Sequence, residues 1–201
     1  MTMSKKKEVI KIKKLEKGET FIKMTSPWMN PASSQANESP YDRVRWCAKA
    51  IGIDPMRKAL ECLYIDDTYI VGTDGHRMHV TWNEYGYSPG LYHVLLCNNK
   101  NILLERDADM DVKDYPDFQR VIPYQGCKNG IPSLTIPNLD KLGFSRLLFH
   151  VYSQTGMMFN LDYLKDAFVP DTETFFQTKG KYSLIMASED FNRLAIIMAL
   201  K

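Results

Sequence analysis

Histidines, cysteines and clustered carboxylates build most active sites and metal centres, and in this 201-residue chain they are sparse and badly spaced for either use. His76 and His79 stand three apart in a stretch that reads as extended, so their side chains face opposite ways and do not form a zinc pair. Asp107, Asp109 and Asp111 are spaced like the start of a calcium loop, but the sixth position is Val112 instead of Gly and the twelfth is Phe118 instead of Glu. The run therefore reads as a solvated loop. Cys47, Cys62, Cys97 and Cys127 form no CxxC pair and read as free, mostly buried thiols of a reducing compartment. Phosphate-binding glycine loops, a GxSxG elbow and HExxH are all missing. The expectation is a protein with no catalytic residues, no metal site and no cofactor, and not an enzyme.

Two segments carry a different chemistry. In VGTDGHRMHV (71–80), Asp74-Gly75 permits a kink between strands and presents His76 and Arg77 at a sheet rim. In YPDFQRVIP (115–123), two prolines bracket a run expected to be extended, with alternate side chains exposed. Charge adds a third feature. The net charge is only +2, yet the first seventeen residues hold seven lysines against two glutamates. Such a tail suits nucleic acid or a membrane surface, and equally a solvated end.

The elements that must position these segments are mostly strands. Residues 41–52 have helical spacing, with Val44, Cys47, Ala48 and Ile51 on one face, Asp42 as N-cap and Gly52 as stop. Arg43, Arg45 and Lys49 fall on the other side. Strands follow at 59–65, 68–72, 78–82 and 91–96, with a turn at Asp66-Asp67; 98–117 holds a short helix or an extra strand and then a loop. SLTI between Pro132 and Pro137 reads as an edge strand, and 147–152 and 157–159 as extended. A short helix at 160–168, capped by Asn160, precedes three closing strands at 173–178, 181–187 and 193–200. Hydrophobic residues at 44% support a core, and no apolar run reaches the roughly 18 residues of a membrane span. The class is α+β with antiparallel sheets, and the helix-then-strands order occurs twice.

TDGHRM closely resembles the TDGHRL signature of the bacterial DNA polymerase III beta sliding clamp family. YPDFQRVIP resembles that family's FPDYRRVIP-like segment between its middle and last domains. VYSQTGMMFNLDYLKDAF (151–168) is similar to its strand-then-helix segment, and AIIMALK (195–201) to its closing V-V-M-P-M-R strand. The four motifs share one order and span 71–201. The departures are a missing first domain, no recognisable helix after Pro123, Ala199 for Pro and Lys201 for Arg.

The resemblance implies a DNA-clamp-like fold with short helices on one face of antiparallel sheets, in two abbreviated clamp domains at 41–114 and 115–201 behind a basic segment at 1–40. It implies a hydrophobic pocket for short peptides of DNA polymerase and similar partners. Carried over residue by residue, that pocket uses Thr73, Gly75, His76, Arg77, Met78, Pro116, Arg120, Val121, Ser183, Ile196, Met198, Ala199, Leu200 and Lys201. Arg77, Arg120 and His76 would offer donors to the peptide. Arg43, Arg45, Lys49, Arg57 and Lys58 are the expected contacts to the backbone of double-stranded DNA, without base readout. Three chains of two domains each would complete a six-domain homotrimeric ring. The setting would be the bacterial cytoplasm, of a host cell if a phage encodes the chain, with no membrane partner. The rivals are a monomeric clamp-like adaptor or inhibitor that binds such peptides without encircling DNA, and a nuclease using the acidic run.

Overall fold

The computed structural model describes residues 21–25, 39–122, 130–134, 141–169, 174–179, 183–188 and 192–200. Its first helix, α1 (Pro40–Ala48), starts where the sequence supplies an acceptor and a proline. The Ser39 hydroxyl accepts from the Asp42 backbone N–H at 3.3 Å, and Pro40 fills a first-turn position that needs no donor. The cap is thus Ser39; Asp42, expected in that role, sits one turn inside, where a carboxylate still favours the helix dipole.

Ten described strands form one antiparallel sheet. They are β1 (Phe21–Thr25), β2 (Cys62–Ile65), β3 (Tyr69–Thr73), β4 (Arg77–Trp82), β5 (Gly90–Cys97), β6 (Asn101–Arg106), β7 (Gly130–Leu134), β8 (Thr174–Lys179), β9 (Ser183–Ser188) and β10 (Arg193–Met198). Their spatial order is β1-β6-β5-β2-β3-β4-β10-β9-β8-β7. The joint between the two halves of the chain is β4 against β10, with Met78 opposite Ile196 and Thr81 opposite Arg193. The sheet therefore runs unbroken across the boundary expected near residue 115. Residues 59–61, expected as the start of a strand over 59–65, belong instead to a 3-10 turn at Lys58–Glu61, while residues 101–106 settle as strand β6.

Among the described residues, three α-helices lie on one side. Val44 and Cys47 of α1, Leu147 and Val151 of α2 (Lys141–Thr155), and Leu164 of α3 (Leu161–Ala167) share a core with Ile70, Leu184, Met186 and Ile197 of the sheet. Gly72 sets how closely α1 can approach, since a Cβ there would collide with the Cys47 carbonyl. Trp46 Nε1 donates to the Ala167 carbonyl at 3.2 Å and so ties α1 to α3. Asn160 caps α3 as expected, its side chain accepting from the Asp162 and Tyr163 N–H groups.

The helix α2 overturns the extended reading of 147–152, and it supplies the helix that no pattern revealed after Pro123. LLFHVY is apolar except for His150, a run that periodicity assigns equally to a buried strand or a helix. Coiled, it places Gly143, Leu147 and Val151 inward at four-residue spacing and leaves Phe149 73% and Tyr152 51% exposed. Only Phe159 of 157–159 keeps an extended pairing, a bridge to Ala199.

The other side of the sheet is covered by a strap, residues 107–122. Tyr115 and Phe118 bury themselves against Cys62, Val71, Met78, Val80, Leu91, Ile185 and Ile196. The strap is not the extended run expected from its prolines. It contains 3-10 turns at Val112–Asp114 and Phe118–Arg120, and from Val112 to Arg120 only the short stretch between them, where Tyr115 is extended, departs from helical backbone.

Candidate peptide-docking site

The turn between β3 and β4 is built from side-chain acceptors. Thr73 Oγ1 donates to the Arg77 carbonyl at 2.5 Å and accepts from the Gly75 N–H at 3.1 Å. Asp74 Oδ1 accepts from the N–H groups of His76 and Arg77, both at 2.8 Å. Gly75 sits at φ +87°, a conformation costly for any residue with a Cβ. The turn then fixes the end of β10, because the His76 carbonyl accepts from the Met198 N–H at 2.8 Å. The His76 side chain is exposed.

Register decides which of the expected pocket residues meet. Thr73 lies opposite Met78, Met78 opposite Ile196, and Ile196 opposite Ile185, while Met198 lies opposite Ser183. Directly paired residues share a face. Thr73, Met78, Ile196, Ser183 and Met198 therefore line the strap side in one patch, where Ile122 packs against the same core and Val121 is 46% exposed. Met198, 44% exposed, is the accessible apolar surface of that patch, and beyond it Leu200 is also exposed.

Other expected members point elsewhere. Arg77 alternates with Met78 and faces the helices. Its Nη1 donates to Asp166 at 2.8 Å, its Nη2 to the Lys49 carbonyl at 2.5 Å and its Nε to Asp74 at 3.1 Å, with the guanidinium 4.2 Å from the Tyr163 ring centroid. These bonds engage all three guanidinium nitrogens and join α1, α3 and the turn. Ala199 packs into the helix-side core. Pro116 lines a separate recess beside Arg57 and Lys58. Arg120 is largely exposed and pairs with Asp117 at 2.7 Å. Lys201 lies outside the described residues.

The five expected phosphate contacts are split as well. Arg43 is buried and bonded to Glu84 at 2.8 Å, which removes it from any DNA-facing surface. Arg45 donates to Asn99 at 2.5 Å, and Lys49 is exposed 3.8 Å from Asp166. Arg57, paired with Asp54 at 2.6 Å, and Lys58 stand beside the strap, across the sheet from α1. The acidic run is not convergent either: Asp107 Oδ1 accepts from the Asp109 and Met110 N–H groups, and Asp111 and Asp114 form a local capping box.

One constellation was invisible in the sequence. Cys62, His93 and Asp107 bring thiol, imidazole and carboxylate together from positions far apart in the chain. Only the β2–β5 register, which places Cys62 opposite His93, reveals it.

No protein-family model matches the chain, and no curated protein matches its sequence. Solved structures do match. DNA polymerase III subunit beta of Borrelia burgdorferi aligns with a TM-score of 0.53 and 16% identity over 80% of this chain and 62% of that one. The Fold is that of a DNA sliding clamp. The sliding clamp of Bacillus subtilis agrees, with a TM-score of 0.52 and 10% identity over 96% of this chain and 67% of that one. That of Pseudomonas aeruginosa gives 0.50 and 14% over 86% and 69%. The chain thus spans 62% to 69% of the length of these clamps. Within the clamp fold, the patch at Met78, Ile196 and Met198 lies where β4 and β10 join the two halves. Among the described residues, no helix is long and apolar enough to cross a membrane.

Proposed function

We propose that this chain is a replication clamp: it encircles double-stranded DNA as a homo-oligomer and docks a short apolar peptide of a DNA polymerase on the strap side of its sheet. A scaffold of this kind performs no chemistry. The observation that carries the docking role is the row Met78–Ile196–Met198, whose inner members are buried and whose last member is exposed. Methionine and β-branched aliphatics make an adaptable apolar floor for Leu and Phe side chains. His76, exposed at the rim, is a donor suited to peptide carbonyls. Two clamp modules per chain, joined through β4 and β10, would require three chains for a six-module ring.

The deciding experiment is fluorescence anisotropy with a labelled peptide carrying a Leu-Phe pair. Met198→Asp sets a carboxylate into the exposed end of the row. It should weaken binding at least about tenfold, or about 1.4 kcal/mol, with the melting temperature unchanged. Unaltered affinity would overturn the pocket.

The split among the five cations considered favours a second reading. With Arg43 buried and Arg57 and Lys58 across the sheet, Arg45 and Lys49 are all that remain on the helix side of the five cations considered. A monomeric adaptor or inhibitor that occupies clamp-binding peptides needs no more than that.

A further inference from the structure

β2 and β5 are antiparallel neighbours in which Cys62 lies directly opposite His93, so both side chains stand on the strap side of the sheet. Cys62 Sγ is 3.5 Å from His93 Nδ1 and 3.8 Å from Nε2. Asp107, the first residue past β6 and the root of the strap, holds Oδ2 2.7 Å from His93 Nε2. The three candidate ligand atoms all lie within 4.8 Å of one another. We propose that Cys62, His93 and Asp107 bind one divalent cation of the zinc class, with water as the fourth ligand, and that the ion clasps the strap to the sheet.

The spacing suits a tetrahedral ion. Bonds of about 2.3 Å to sulfur and about 2.0–2.2 Å to nitrogen and oxygen put neighbouring ligand atoms about 3.4–3.6 Å apart. The sulfur-to-Nε2 distance of 3.8 Å already falls near that value. The carboxylate oxygen, 2.7 Å from Nε2, must withdraw from the ring by roughly 0.7 Å, exchanging one hydrogen bond for two coordinate bonds. A set of thiolate, imidazole and carboxylate selects zinc or cobalt over magnesium and calcium, which prefer all-oxygen shells. Support from a second layer is present. The Asp109 and Met110 N–H groups both hold Asp107 Oδ1 at 2.8 Å, which orients Oδ2 toward the ring. The His93 side chain is 38% exposed, so an ion can enter and a water can complete the shell.

A thiol, an imidazole and a carboxylate in sequence also make a nucleophilic relay, and here that alternative fails. Cys62 is fully buried, closed to any substrate. Burial, reinforced by the charges of Asp107 and Glu61, pushes its thiol up to about 12, the reverse of an activated nucleophile.

The proposal stands apart from the docking role and is read with Co2+ as the probe. Titration of the full chain should saturate at one ion per chain, with a near-ultraviolet thiolate charge-transfer band and intense visible bands of a tetrahedral centre. The Cys97→Ser/Cys127→Ser double variant should keep these bands, and Cys62→Ser should lose them. His93→Gln and Asp107→Asn should weaken Co2+ binding by more than the roughly 10–100-fold that loss of an outer-layer group costs a metal site. A wild-type chain without the thiolate band overturns the proposal, whether or not the Cys62 variant folds. So does a band that persists in Cys62→Ser or disappears in the Cys97/Cys127 double variant.

Discussion

His79 shows how far a residue's meaning depends on what surrounds it. The sequence places it three positions from His76 in a segment rich in polar groups. In the fold it is fully buried, stacked on Trp46 with ring centroids 4.2 Å apart, and its Nδ1 is 2.8 Å from the Trp46 carbonyl. Nε2 has no hydrogen-bond partner among the described residues, so a proton there would be buried without an acceptor. Burial accordingly pulls its pKa down to about 4, and the ring is neutral in the folded chain at pH 7. The unfolded chain takes up the proton near pH 6.5 and the folded chain does not, so stability falls as pH drops from about 6.5 to about 4. The expected loss is on the order of 3 kcal/mol. Urea unfolding across that window should show it for the wild type, and His79→Gln should flatten the difference. A variant with the same slope would locate the pH dependence elsewhere. The same scale separates legible from hidden roles in TDGHR: the turn-forming parts of Thr73, Asp74 and Gly75 follow from residue type, whereas the four partners of Arg77 come from α1, α3 and the turn and exist only in three dimensions.

Among the elements, those flanked by strong local signals were legible. Asn160 and the spacing behind it announce α3, and the strands from 62 to 97 and from 174 to 198 follow their β-branched and turn residues closely. The helix α2 was not legible, because a run apolar but for His150 lacks a clear period and its polar neighbours read as breakers. The site divides in the same way. Its apolar row follows from alternation along β4 and β10, but the partition of Arg77 from Met78 depends on which face the helices cover. Gly72 is where element and residue meet. Gly72→Ala would force a methyl against the Cys47 carbonyl and lift α1 from β3. The expected cost is about 1–3 kcal/mol, read by chemical denaturation. Because α1 also carries the Lys49 carbonyl that Arg77 grips, the same variant should loosen the β3–β4 turn and speed exchange of its amide protons. A substitution without effect on either would mean that α1 does not need this close approach.

For the whole molecule, the decisive property is closure. A ring holds DNA by topology, so weak phosphate contacts suffice and tight ones would oppose sliding. The modest cationic surface around Arg45 and Lys49 fits that role and fits the adaptor equally, and only the assembly separates them. The ring reading expects a mass in solution of about three chains. It also expects the protein, once loaded, to remain on circular DNA and to be released when that DNA is cut. A stable monomer, or equal loss from circular and linear DNA, would leave the adaptor.

The pairing of β4 with β10 also has a consequence in time. A ribosome that has finished Trp82 must add more than a hundred residues before Arg193 exists to meet Thr81. At about 5–20 residues per second the wait is on the order of 5–20 s. Through that interval the nascent chain carries Met78 and Val80 on a strand with one flank unpaired. The emerging first half is therefore a client for chaperones and a seed for aggregation until translation supplies the strand that completes it.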